Sequence, residues 1–264
     1  TDWPVVAAAW LLLLCSTTLL TAGTLYGDAV ALWGLRASIA AAPPADRALV
    51  VAAAARPSEA AALDSAIRGE LGHVLAHTGG DIARVTTTSS FADASIDPGA
   101  VTVLATFAGY EGIDDHAALL DGQWAAAGAS PQETTLSEAA AAALGLAPGD
   151  RITLVSRLEA SLRIEVLVTG IWRPDPSDPY WLEPELEIGG SVTRGSFTTV
   201  GPFVVPEADL VGRPFGDSIS MEWRALPDPA GFQVDDIVAV RTAADQLDER
   251  LTVVLPANAQ VRVS

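Results

Sequence analysis

Residues 133–155, ETTLSEAAAAALGLAPGDRITLV, decide how the rest of the chain is read. Four parts follow one another: a brief strand, an alanine-rich helix, a turn at 147–150 and a second strand from Arg151. Thr135 or Ser137 opens the helix, because a hydroxyl at the N-cap accepts from an otherwise unpaired N–H of the first turn, and Glu138 is available for a capping box. Gly145 ends it, since glycine enters the left-handed conformation without a steric penalty. The segment carries no evident nucleophile, metal ligand or phosphate cradle.

Outward from it, strands and helices mix. RITLVSRL (151–158) and LRIEVLVTGIW (162–172) predict a hairpin with Leu162, Ile164, Val166 and Val168 on one face. Upstream, 47–55 reads as a strand and 57–77 as a helix capped by Ser58, with Leu63, Ile67, Leu71, Val74 and Leu75 on one side and Gly79 and Gly80 as its stop. DIARVTTTSSF and AVTVLATFAG read as two strands around the turn DPGA at 97–100, and IDDHAALLDGQW as a short helix ending near Gly122. Residues 173–231, thick with Pro, Asp and Gly, predict an inserted second lobe of short strands and long loops. A helical stretch at 234–255 and a strand at 259–264 complete the chain.

The first forty residues differ from the rest. Residues 3–27, WPVVAAAWLLLLCSTTLLTAGTLYG, contain no charge. As a helix rising about 1.5 Å per residue they would span roughly 37 Å, enough for a bilayer core of about 30 Å. Trp3 and Tyr26 suit its two interfaces, and Cys15, Ser16, Thr17 and Thr18 can bond back to the helix. Helical character continues to Pro43 and Pro44, so 1–42 read as a transmembrane helix and stalk and 43–264 as the body. A cleaved signal peptide is the alternative, but its apolar region is about 7–15 residues behind a basic start, and this chain opens TDWP.

The net charge of −18 argues against nucleic acid, which is bound by concentrated basic residues. With no lysine and no glycine-rich loop of the right spacing there is no phosphate-loop site, so the chain is not expected to hydrolyse ATP. Cys15 is the single cysteine and has no internal disulfide partner. GDSI at 216–219 matches the opening of an esterase signature with Ser218 as nucleophile, yet no histidine follows His116 to serve as its base. His73 and His77 lie one helical turn apart but lack a third ligand by spacing. Asp114, Asp115 and His116 point in different directions on a helix, and pairs such as Asp235 with Asp236 or Glu183 with Glu185 are expected by chance in so acidic a chain. No catalytic, cofactor or metal residue is assigned.

Taken together, GQW at 122–124, TTLSEAAAAALGLAPGDRITL and LRIEVLVTGIW resemble the extracytoplasmic (periplasmic) core domain of FtsX-like and MacB-like ABC transporter permeases. The positions that carry the resemblance are Gly122, Ser137, Glu138, Leu144, Gly145, Leu146, Gly149, Asp150, Val168, Gly170 and Ile171. It implies an α+β, mixed-sheet extracytoplasmic domain of two lobes on an N-terminal transmembrane helix at the cell membrane. It also implies a cytosolic ABC ATPase subunit and a second permease copy as partners, ATP hydrolysis in that other subunit, and a body that transmits motion without cofactors. Residues 173–231 depart from the family's pattern, which leaves the outside partner open. A membrane-anchored binding module and a secreted hydrolase are the other two classes.

Overall fold

The computed structural model describes residues 3–95, 101–233, 237–254 and 260–263. Helix α1 runs unbroken over Trp3–Ala41. Two of its threonine hydroxyls bond back within the helix: Thr17 Oγ1 donates to the Leu13 and Leu14 carbonyls at 3.0 Å, and Thr21 Oγ1 to Thr17 O at 2.8 Å. Trp10, Leu11 to Leu14, Leu19 and Leu20 are exposed, with none of the described residues covering them. Among the described residues no helix is long and apolar enough to cross a membrane. At its C-terminal end α1 meets a 3-10 turn, Pro229–Gly231, and Arg36 Nε donates to Phe232 O at 2.9 Å. Helix α2, Pro44–Arg47, then leads into the body.

The body follows the order β1 Leu49–Ala55, α3 Ala60–Leu75, β2 Gly80–Thr88, β3 Phe91–Asp93, β4 Val103–Tyr110, α4 Ile113–His116, β5 Ala117–Gly122, β6 Gln132–Ser137 and α5 Glu138–Leu144. Next come β7 Arg151–Ser156, β8 Arg163–Pro174, β9 Ser191–Arg194, β10 Phe197–Val204, α6 Glu207–Gly212, β11 Ile219–Pro227, α7 Ile237–Asp245, α8 Leu247–Val254 and β12 Gln260–Val263. The class is α+β with a mixed sheet, as expected. Its strands pair mostly antiparallel, but β6 runs parallel to β8 and β10 parallel to β4.

Pairings β4–β3–β7–β8–β6–β10 return to β4, so six strands close a circuit. Each of the six sends apolar side chains into one core: Phe91, Phe107, Leu136, Leu154, Val166 with Val168, and Phe203. Phe107 makes edge contacts with Phe91 and Phe215 at ring separations of 5.0 and 4.9 Å, favourable for rings of opposed edge and face charge. Leu162 and Ile164 join the edge of this core, as their alternation predicts. From the circuit the sheet extends through β2, β11 and β1 to β12. There α3 lays Leu63, Ile67, Leu71 and Leu75 on β1 and β11, and α8 adds Leu247 and Leu251. A third apolar cluster, with Tyr110, Trp172, Tyr180 and Trp181, lies beside the join between the two parts.

Three expectations need correction. Residues 113–124 are not one helix: α4 lasts a single turn, and Ala117–Gly122 form β5, whose backbone groups pair along β8 instead of with each other. Ser58 does not cap α3; it lies in a 3-10 turn, Pro57–Glu59, and the helix has no side-chain cap. Residues 173–231, expected as an inserted lobe, supply β9, β10 and β11 to the same sheet, where β10 closes the circuit and β11 lies between β1 and β2. Their many prolines and glycines mark the loops between these strands. The expected turn at 97–100 and Asp235 with Asp236 lie outside the described residues.

Candidate functional site

The eleven motif residues fall on consecutive parts of one frame. Ser137 ends β6 and caps α5, its Oγ accepting from Ala140 N at 3.2 Å. Glu138 makes no capping box, because it occupies the first helical position instead of the third; its carboxylate takes both arms of the Arg173 guanidinium on β8, at 2.8 and 3.0 Å. That pairing holds the exposed Glu138 carboxyl below its ordinary range. Gly145 sits at φ 67°, and Leu146 N donates back to Ala141 O at 3.0 Å, while Leu144 and Leu146 rest on the six-strand core. Asp150 Oδ2 accepts from Ala147 N at 2.8 Å, and Gly149 N and Asp150 O bond across to Val168. Val168 and Ile171 are buried in the core.

Gly122 and Gly170 face each other across β5 and β8. A Cβ on Gly122 would run into the Thr169 carbonyl, and one on Gly170 into the Gln123 carbonyl, so the strands meet only because both side chains are absent. Gly122 also has φ 75°. The motif is therefore brought together as a strand–helix–hairpin frame.

Charged side chains tie segments adjoining the six-strand circuit to the extension. Arg84 on β2 grips both Glu207 oxygens at 2.6 and 2.7 Å and reaches Asp64 Oδ1 at 2.6 Å. Asp64 also accepts from Trp223 Nε1 at 2.8 Å and from Arg68 Nε at 2.9 Å, and Arg68 continues to Glu111. Burial works against the charge on Asp64, but the Trp223 and arginine donors outweigh it and hold the carboxyl below its usual value. Burial likewise opposes Arg84, whose carboxylate partners raise its pKa instead. Deeper still, Arg224 (2% exposed) meets Glu187 (1%) at 2.8 Å, Glu222 at 2.7 Å and the Tyr180 carbonyl at 3.1 Å. Burial and the neighbouring Glu187 push the Tyr110 phenol well above its normal value.

Sequence spacing missed the pair His116–Asp178, whose Nδ1 and Oδ2 lie 2.7 Å apart with the imidazole stacked 3.9 Å from the Tyr180 ring. The partners are far apart in sequence, and only the DPYW segment, a turn followed by two aromatics, hinted that Asp178 is held in place. They border a cleft of about 410 Å³ that Arg47 and Asp228 also line, next to the turn touching α1. Asp114 and Asp115 do not join His116 there. Ser218 Oγ donates to the Ala55 carbonyl at 3.5 Å in a cleft lined by Asp217, Glu159 and Ser156. Among the described residues no group of three or more His, Cys, Asp or Glu could hold a metal ion. What the arrangement does chemically is to fasten elements together through buried charge.

No protein-family model matches the chain. No curated protein matches it. Among solved structures it is similar to a chain described as "a domain of a putative Permease protein from Porphyromonas gingivalis", with 13% sequence identity and a TM-score of 0.36, over 84% of this chain and 91% of that one. A superposition at that score is too slight to define fold or function.

Proposed function

We propose that the chain is part of an ABC transporter permease subunit of the FtsX/MacB type, with 3–27 in the cell membrane and the body from 43 onward outside it. The carrying observation is α1: one continuous helix, uncharged over 3–27, with Trp10, Leu11 to Leu14, Leu19 and Leu20 uncovered by the body. Lipid is the environment that removes such a surface from water, and the inward-bonded hydroxyls of Thr17 and Thr21 fit it. The motif residues support the family because they fall on consecutive elements of one strand–helix–hairpin frame.

In this reading a separate cytosolic subunit hydrolyses ATP and moves the membrane helices of two permease copies. The displacement passes up α1, through the Arg36–Phe232 contact and α2, into β1 and β11 of the extension and from there to the closed circuit. Buried ion pairs and a packed core let the body move as a unit, and an outside partner responds through differential contacts in two positions. The test is purification of the natural gene product from its own membranes through an affinity tag. An ATPase subunit with a phosphate-binding loop is expected in stoichiometric yield. Isolation with no ATPase, under mild detergent and after crosslinking alike, would overturn the reading.

A further inference from the structure

A third cleft, of about 260 Å³, lies between α4, the segment after β5, the end of β10 and the start of α6. The motif frame makes no use of it. Tyr110 and Trp124 supply aromatic surface, Val204 and Pro206 aliphatic surface, and Asp114 and Glu207 the charge. Glu207 is already taken by Arg84 and Thr86, whereas Asp114 is exposed. Among the described residues no basic side chain lines the cleft. Thr135, which also borders it, is fully buried, and its Oγ1 has no hydrogen-bond partner among them. Of its neighbours, Thr134 Oγ1 donates to Val204 O and Leu136 enters the core. A buried hydroxyl left unpaired costs stability unless something in use completes it.

We propose that this cleft binds a small organic ammonium compound. Aromatic faces attract cations through the ring quadrupole, Asp114 supplies the opposing charge at the mouth, and an ammonium N–H can donate to Thr135 Oγ1 at the floor. Anions are disfavoured by the exposed Asp114 carboxylate and by the chain's net charge of −18. The volume is below the 300–1,000 Å³ typical of drug-sized sites, which limits the occupant to on the order of ten non-hydrogen atoms. The half-buried Trp124 lines the cleft and so reports on its occupancy. This site does not depend on the permease reading.

The experiment uses the full chain in non-ionic detergent, labelled with 5-fluorotryptophan, with the Trp124 resonance assigned by its loss in Trp124→Phe. Phenethylammonium, phenethyl alcohol and phenylacetate are titrated as probes of equal shape and different charge. Phenethylammonium is expected to shift the Trp124 signal saturably, with at least about ten-fold weaker binding of the alcohol and no saturable shift by the acid. Asp114→Asn should abolish the preference for the cation. Thr135→Val should weaken phenethylammonium while leaving the melting temperature unchanged or higher, because it removes an unpaired hydroxyl. An absent shift, an equal response to all three probes, or a cation preference that survives Asp114→Asn would overturn the proposal. Asp114→Asn alters an exposed side chain and decides the matter even if Thr135→Val fails to fold.

Discussion

Replacing Arg224 with methionine tests whether buried charge fastens the body together. The guanidinium is 2% exposed and neutralises Glu187, itself 1% exposed, while also bonding Glu222 and the Tyr180 carbonyl. Methionine keeps much of the side-chain volume but strands the Glu187 carboxylate without a counter-charge. Breaking a buried pair from one side costs about 3–5 kcal/mol. At roughly 2–4 °C per kcal/mol for a body of this size, the melting temperature should fall by about 12 °C. Circular dichroism melting of the full chain in detergent measures this directly. The double variant Arg224→Met with Glu187→Leu removes the stranded charge and should regain more than half of the loss. Glu222 is half-exposed enough to rehydrate, although Glu187 Oε2 also accepts from the Glu183 N–H and that bond is not recovered. A single variant within about 1 kcal/mol of the parent, or a double variant as unstable as the single, would refute the reasoning.

Gly170→Ala and Gly122→Ala should each destabilise by about 1–3 kcal/mol in urea unfolding, because the added methyl meets a carbonyl of the facing strand. Ser137→Ala should cost about 1 kcal/mol through loss of the α5 cap, and Glu138→Ala less, since its ion pair with Arg173 is exposed. Asp64 has a folded pKa below its ordinary value near 3.8, so the stability it contributes is fully present above about pH 4 and is lost as pH falls through the lower folded value. Urea midpoints measured between pH 7 and pH 2 should therefore show a shallower acid decline in Asp64→Asn than in the parent.

The cassette at 133–155 was legible because its signals are local: a hydroxyl cap, a left-handed glycine and a hairpin all operate within a few residues. Alternation in 162–168 likewise placed Val166 and Val168 in the core before any partner strand was known. Closure of the circuit was not legible. It depends on the parallel pairing of β10 with β4 and on two narrow joins, Phe91 with Ala105 and Thr135 with Val204, none of which leaves a periodic mark in either segment. The segment AALLDG was read as helix because alanine and leucine favour helices; pairing with β8 overrides that preference. The abundance of Pro and Gly in 173–231 disguised β10 and β11, whose strand residues are among the most buried in the chain. Pairs such as His116–Asp178 and Arg224–Glu187 join residues far apart in sequence, where spacing carries no information.

The native cysteine makes the central claim directly measurable. Cys15 is the sole cysteine and lies exposed on α1, while Leu158, 83% exposed, marks the surface of the body. In intact cells treated with a membrane-impermeant maleimide, the account predicts that Leu158→Cys in a Cys15→Ser background is labelled and that the parent's Cys15 is not, before or after lysis without detergent. Labelling of Leu158→Cys only after lysis, or labelling of Cys15 as fast as a water-exposed thiol, would contradict an apolar rod in lipid bearing its folded body outside.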